Sequence, residues 1–206
     1  MMAAEKQIGK DEGRTQRRVS RTRRRLMDVA LTLLVERGAD AATVEGITER
    51  ADVGKGTFYR HFAGKDDLVV ALAEEAADGI IARLQTGGGA EAREQAVERL
   101  IGAHCAFFRE ETAAFMLLFE ECVAGSSGSA AKTARARYFA ALESEFARLA
   151  GEGKALAAKR AAAVLAGFVT GYLLLADEMV GREEAQGSME IMRRACASAV
   201  VTMLGA

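Results

Sequence analysis

Residues Thr43 to Lys65 read TVEGITERADVGKGTFYRHFAGK. The hydroxyl of Thr43 suits a helix N-cap, accepting from a backbone N–H two or three residues on. Val44, Ile47 and Ala51 then recur at helical spacing on one face. Asp52-Val53-Gly54 is a turn: Asp and Gly both tolerate the left-handed conformation, and Val53 between them points to the core. From Lys55 the helical pattern resumes. Phe58 and Phe62, four apart, face inward, leaving Lys55, Gly56, Thr57, Tyr59 and Arg60 on or near the outer face, with His61 at its edge. Gly56 costs roughly 1 kcal/mol against Ala inside a helix, and close backbone approach to a ligand is one reason to keep it. Two short helices around a tight turn, the second carrying small, basic and aromatic residues outward, form the pattern of a helix-turn-helix.

The flanks extend the pattern. Arg21 to Arg37 reads as a supporting helix, with Leu26, Val29, Ala30, Leu33 and Leu34 on one face and Gly38 as its stop. Lys65-Asp66-Asp67 opens another helix, its acids suited to the positive end of the helix dipole. Charge divides the same way. Residues 1–65 hold 14 Lys and Arg against 9 Asp and Glu, and the remainder 14 against 20, so a basic head precedes an acidic body although the whole chain carries −1. Arg14, Arg17, Arg18, Arg21, Arg23, Arg24 and Arg25 concentrate positive charge in and before the first helix. Residues 1–18 are expected to form a disordered basic arm, read equally as a solvated tail or as an arm reaching a minor groove.

The segment from about Arg21 to Leu72 resembles the DNA-binding domain of the TetR family of bacterial transcriptional regulators. Its most specific part is Val53-x-Lys55-Gly56-Thr57-Phe58-Tyr59-x-His61-Phe62, followed by Lys65 and an acidic, apolar helix start. The resemblance implies phosphate contacts from Tyr59 and Lys65, and positions Thr43, Lys55, Gly56 and Thr57 against the groove or backbone. His61 is read equally as a packing residue or a phosphate contact. Two departures stand out: Asp52 where the family commonly has Gly, and Gly54 where it has Ser or Thr. The first brings a carboxylate near DNA and the second removes a capping hydroxyl.

Composition bounds the rest. Half of the 206 residues are apolar, Pro is absent, and no window shows sustained β-branched alternation. An all-α protein is expected, with about nine helices, three in a head over residues 19–65 and six in a body over 66–206; the resemblance implies that the body binds a ligand and dimerises. Cys105, Cys122 and Cys196 are scattered, as reduced thiols in a cytoplasmic protein would be. No signal-peptide pattern opens the chain. The longest uncharged run, Ala161 to Ala176, is 16 residues, short of a membrane span of about 20. Hydrolase, metalloprotease, Walker and dinucleotide motifs are missing, and with two His in the chain a His-rich metal centre is excluded. Neither enzyme chemistry nor a cofactor is expected.

Body helices are expected at about Asp66–Leu84, Ala90–Arg109, Thr112–Val123, Ala130–Leu149, Ala155–Val180 and Ser188–Leu204, with Gly87-Gly88-Gly89, Gly125-Ser126-Ser127-Gly128 and Gly151-Glu152-Gly153 between them. Leu165, Phe168, Val169, Tyr172, Leu173, Leu175 and Met179 spread apolar surface around most of one helix, more than a single body covers. Ala163, Gly167 and Gly171 form a small-residue stripe on it, and Met189, Met192, Cys196, Ala199, Val200 and Met203 line the last helix. Two such helices from each of two chains suggest a twofold four-helix interface, which the resemblance also implies, and hence a palindromic operator. Phe107, Phe108, Phe115, Met116, Phe119, Tyr138, Phe139 and Phe146 concentrate in the middle helices, with His104, Glu120, Glu121 and Tyr172 as polar companions. Such aromatics are ordinarily core, but the resemblance implies that a subset lines an effector pocket, for which His104, Phe108, Phe115, Phe119, Tyr138, Phe168 and Tyr172 are the candidates. The alternative to a regulator is a small-molecule or interaction module whose head binds DNA weakly.

Overall fold

In a computed structural model the chain is described except at residues 1, 39–41, 87–90, 120–127, 180–181 and 206; side chains at 2–15, 128–130, 173–179 and 182–190 are also outside the description. The described residues form nine helices: α1 (Met2–Arg37), α2 (Val44–Arg50), α3 (Lys55–Tyr59), α4 (Lys65–Leu84), α5 (Arg93–Glu110), α6 (Thr112–Phe119), α7 (Gly128–Ala150), α8 (Ala155–Met179) and α9 (Arg182–Gly205). The all-α class and the two-part architecture are those expected from the sequence.

Several boundaries differ from those expected. Residues 1–18, expected as a disordered arm, lie within α1, which runs from Met2. The segment contains no Pro and is rich in Ala, Glu, Lys, Gln and Arg, all good helix formers, so helical propensity outweighs the lack of an apolar stripe. In the body, Gly128 opens α7 instead of closing a loop, and α9 begins at Arg182, ahead of the expected Ser188. The loops expected at Gly87–Gly89 and Gly125–Ser127, with Glu120, Glu121 and Cys122, lie outside the described residues.

Two apolar clusters organise the packing. Leu26, Met27, Ala30, Leu33 and Leu34 of α1 meet Ile47, Ala51, Phe58 and Phe62 of the helix-turn-helix, and Leu68, Val69 and Leu72 of α4 close the cluster. The head's core therefore extends seven residues past Lys65 into α4. From Ala73 onward α4 changes allegiance: Ala73, Ala76, Ala77, Ile80 and Leu84 belong to the body's core. One continuous helix thus sits in both cores. A second link comes from α6, whose Leu117 is buried in the head cluster while Phe115 and Leu118 are buried in the body's.

Gly38, at φ +78°, ends α1 and donates its N–H to the Leu34 carbonyl at 2.9 Å, the left-handed C-terminal stop expected there.

Candidate nucleic-acid interface

The turn and the recognition helix are built as the residue chemistry requires. Thr43 caps α2, its Oγ1 accepting from the Gly46 N–H at 3.1 Å. Asp52 takes the left-handed conformation at φ +51°. Gly54 instead has extended backbone, φ −72° and ψ 150°, and N-caps α3 with no side-chain hydrogen bond. The departure from Ser or Thr at Gly54 thus removes a cap, and the departure from Gly at Asp52 puts a side chain where a residue without one is most at ease. Phe58 and Phe62 are buried, their ring centroids 5.7 Å apart.

What the two phenyl rings leave outside is the candidate interface. Tyr59 is 59% exposed although it is the largest side chain of α3. Lys55 and Gly56 are exposed, and Thr57 is half-buried. A Cβ built at Gly56 would meet nothing within 4 Å, so no neighbour in this chain requires a glycine there. Lys65 is the first residue of α4, half-buried beside Gly64. Asp67 Oδ2 accepts from the Ala63 N–H at 2.9 Å and holds the start of that helix.

The partner of Lys55 was not legible in the sequence. Its Nζ lies 2.6 Å from Oε1 of Glu45, on the opposite helix of the motif. Each holds the other in its charged form: the hydrogen bond and the charge of Lys55 lower the Glu45 pKa, and those of Glu45 raise that of Lys55. The ten-residue separation gives no helical periodicity to find it by.

Arg23 carries a role that its sequence position did not suggest. Its guanidinium stands 4.3 Å over the Phe62 ring and donates to the His61 carbonyl at 3.1 Å, pinning α1 to the end of the recognition helix. His61 is half-buried, and burial, then Arg23 and Arg60, lower its pKa, so at neutral pH it stands as an uncharged imidazole.

In the body the seven pocket candidates separate. His104, Phe108, Phe115, Phe119 and Tyr138 share one chain of ring contacts: Phe108–Phe115 at 5.1 Å, Phe115–Phe119 at 4.8 Å, Phe119–Tyr138 at 5.1 Å and His104–Tyr138 at 5.6 Å. Tyr172 is half-buried against the same core. Phe168 stands apart, 47% exposed on α8. His104 is fully buried and satisfied on both sides, with Nδ1 2.7 Å from the Leu100 carbonyl and Nε2 2.6 Å from the Tyr138 hydroxyl. A carbonyl only accepts, so Nδ1 carries the proton and the Tyr138 hydroxyl donates to Nε2. Burial pushes the His104 pKa down to about 4 and the Tyr138 pKa up. Two open grooves among the described residues of the body lie apart from these rings. One of about 350 Å³ is lined by Gly153, Lys154, Leu156, Ala157, Arg160 and Met203; another of about 250 Å³ lies between α7 and α8.

The expected interface residues divide as well. Ala163 and Gly167 are exposed and Gly171 is half-buried, so the small-residue stripe of α8 does face outward. Ala199 is exposed and Met203 half-buried. Met192 and Cys196, however, are buried within the protomer, in the body's core. The period of α9 explains the correction: 192, 196, 200 and 204 lie on the inner face, whereas Ile191, Ala195, Ser198 and Thr202 lie opposite and are exposed. Cys105 and Cys196 are free, buried thiols; burial raises the pKa of both, that of Cys196 to about 11 with Cys105 adding to it.

A helix-turn-helix head on a helical body defines a class of DNA-binding regulators, and comparison makes it specific. Residues 26–72 match the family model of bacterial regulatory proteins, tetR family. The HTH-type transcriptional regulator TcmR of Streptomyces glaucescens is 36% identical over 73 residues, 35% of this chain and 32% of that protein. The HTH-type transcriptional repressor KstR of Rhodococcus jostii (strain RHA1) is 44% identical over 54 residues, 26% of each chain. The chain thus aligns with about a third or less of the length of these relatives. Over most of the fold it is similar to a transcriptional regulator from Rhodococcus sp. (TM-score 0.70, 19% identity, 89% of this chain and 96% of that one). The structure of the fatty acid degradation regulator FadR from Bacillus halodurans gives TM-score 0.69 at 16% identity, over 85% and 94%. Residues 26–72 thus belong to the tetR family of bacterial regulatory proteins, and the fold as a whole is that of the two solved regulators. Among the described residues no helix is long and apolar enough to cross a membrane, and no group of His, Cys, Asp and Glu is placed to hold a metal.

Proposed function

We propose that this protein is a cytoplasmic, ligand-responsive transcriptional repressor that binds a palindromic operator in double-stranded DNA as a homodimer. The observation that carries the reading is the outer face of the helix-turn-helix: Tyr59, Lys55 and Gly56 stand exposed on a helix whose inner face is fully committed to the core. Thr43, Thr57, His61 and Lys65 complete the proposed contact set. Repression is favoured by the relatives, since KstR carries that name.

Dimerisation rests on the outer surface of α8 and α9. Leu156 at 61%, Phe168 at 47% and Ile191 at 73% exposure are apolar side chains left uncovered beside Ala163, Gly167 and Ala199. Small residues let two helices approach closely, and a second copy buries the larger ones. The proposed interface is thus Ala163, Gly167, Gly171, Ala199 and Met203, without Met192 and Cys196.

The effector is an unidentified small molecule, apolar or amphipathic. Of the ring cluster, Phe108, Phe119 and Tyr172 are half-buried at its edge and are the residues it reaches first; His104, Phe115 and Tyr138 lie behind them. Signal transmission follows from the two elements that sit in both cores. An effector that separates the rings displaces α6 and, through Leu117 and α4, the head. For that to release DNA, the effector must bind the DNA-free form more tightly.

Selection from a randomised duplex library tests the reading. The expected result is enrichment of two inverted half-sites one helical turn apart or a multiple of it. Recovery of unrelated sequences favours the second reading, a ligand-binding module with a weakened head, to which the carboxylates of Glu45 and Asp52 on the DNA side lend support.

A further inference from the structure

From Arg14 to Met27 the chain carries seven arginines and no acid. The helical form of α1 sorts them. Arg23 is occupied with Phe62 and the His61 carbonyl. Arg24 is paired with Asp28 and Glu75. Arg17, Arg18, Arg21 and Arg25 are all exposed, and no acidic side chain among the described residues pairs with them. Arg18, Arg21 and Arg25 follow i, i+3, i+7 spacing, and Arg17 stands one turn from Arg21, so the four make a single stripe opposite the buried face. Leu26, Ala30 and Leu33 hold that helix against the motif, and Arg23 ties it to the end of the recognition helix. The stripe is therefore a row of cations on the solvent side of a helix that Arg23 ties to the residues just after α3.

We propose that this stripe is a second DNA-contacting surface, which binds the phosphate backbone of the duplex flanking the half-site and carries no sequence preference of its own. It rests on the proposed DNA binding by the head. The surface lies outside the residues that match the family model, which begin at Leu26. Its partner is a regular polyanion: about 14 Å of helix separates Arg17 from Leu26, and duplex DNA presents a charge every 1.7 Å or so along its axis. Guanidinium groups make bidentate contacts to phosphate, and a helix delivers them at fixed intervals. An anionic membrane is the less suitable partner. A helix lying on lipid needs an apolar face, and between Met2 and Ser20 the apolar residues other than Ala are Met2, Ile8 and Val19.

The test compares the wild-type protein with the R17Q/R18Q/R21Q/R25Q variant on a library-selected duplex, with the half-sites kept and the flanking sequence lengthened stepwise. All four side chains are exposed, so the variant keeps the wild-type melting temperature, which is checked first. Wild-type affinity is expected to rise as flanks are added, and the variant's to be independent of flank length and at least tenfold weaker on the longest duplex. The slope of log K against log salt is expected to fall by about 0.9 for each phosphate that the variant no longer neutralises, hence by about 3 or more for the dimer. Selective binding by both proteins with equal slopes and equal flank dependence overturns the stripe alone. Failure of the wild type to select any duplex overturns the head's DNA binding, and the stripe with it. Retention of the wild type but not the variant on phosphatidylglycerol vesicles, with duplex binding unchanged between them, assigns the stripe to lipid and overturns the proposal.

Discussion

Lys55 and Glu45 form an ion pair across the helix-turn-helix, 2.6 Å between Nζ and Oε1, on the surface proposed to meet DNA. The pair is exposed and contributes little to folding. Its consequence is for binding: a phosphate must compete with Glu45 for the lysine.

Replacing that carboxylate separates the two roles. Glu45→Gln is expected to leave the melting temperature unchanged while tightening DNA binding. The salt dependence of binding is expected to steepen by about 0.9 for each lysine freed to meet a phosphate. Affinities measured across a salt series read the effect directly. An unchanged slope would mean that Lys55 takes no part in the contact.

Gly56 gives stability and binding opposite signs. Its missing Cβ has room, so Gly56→Ala is expected to stabilise the fold by up to about 1 kcal/mol through helix propensity. On the face proposed to meet DNA the same methyl group would stand between helix and duplex, and affinity is expected to fall at least several-fold. Urea denaturation and anisotropy on the same preparation measure both.

The buried His104–Tyr138 pair sets a pH dependence. His104 is neutral in the folded protein down to about pH 4, whereas in the unfolded chain it takes up a proton below its ordinary value near 6.5. Between those values the unfolded state binds more protons, so stability falls as pH drops from 6.5 to 4 and this contribution is constant above and below. Its size is on the order of 3 kcal/mol at the lower end. His104→Leu is expected to be less stable at pH 7, where it orphans the Tyr138 hydroxyl, but to show a flatter profile over that window. Denaturation midpoints from pH 7.5 to 4 check it.

Gly167 tests the assembly. No atom lies within 4 Å of a Cβ placed there, so Gly167→Leu fits the protomer without strain. On a surface packed against its twofold mate the larger side chain holds two helices apart. Sedimentation equilibrium is expected to give a dimer for the wild type and a shift toward monomer for the variant. A monomeric wild type removes the twofold operator from the account.

How far the sequence carried the structure differs by element. The head was legible in detail because its signals are local: a cap at Thr43, a left-handed Asp52, two phenylalanines four apart and a glycine stop at Gly38 each act within a turn of their own position. Long-range pairings were not legible. The Lys55–Glu45 and Arg23–His61 contacts join separate helices, and no spacing rule announces them. On α9 the sequence showed one stripe of apolar and small residues, and separating its outer members from its inner ones requires knowing that Met192 and Cys196 are buried in the body's core. The aromatic residues of the middle helices were visible as a group, but whether rings pack on one another or enclose a ligand depends on how separate helices are placed, which no local pattern encodes. The start of α1 has no apolar stripe to announce it; its good helix formers and lack of Pro are the signals that fit a helix from Met2.

Binding by the exposed face of α3 is the claim on which the rest depends. The direct measurement is fluorescence anisotropy of the protein on DNA immediately upstream of its own gene, against scrambled duplex of the same composition, over a range of salt concentrations. Selective binding is expected, weakened about tenfold by Tyr59→Phe through removal of one phosphate hydrogen bond, and weakened with a shallower salt slope by Lys55→Ala. Absence of binding to either duplex at low salt, with the protein folded and dimeric, would contradict the account.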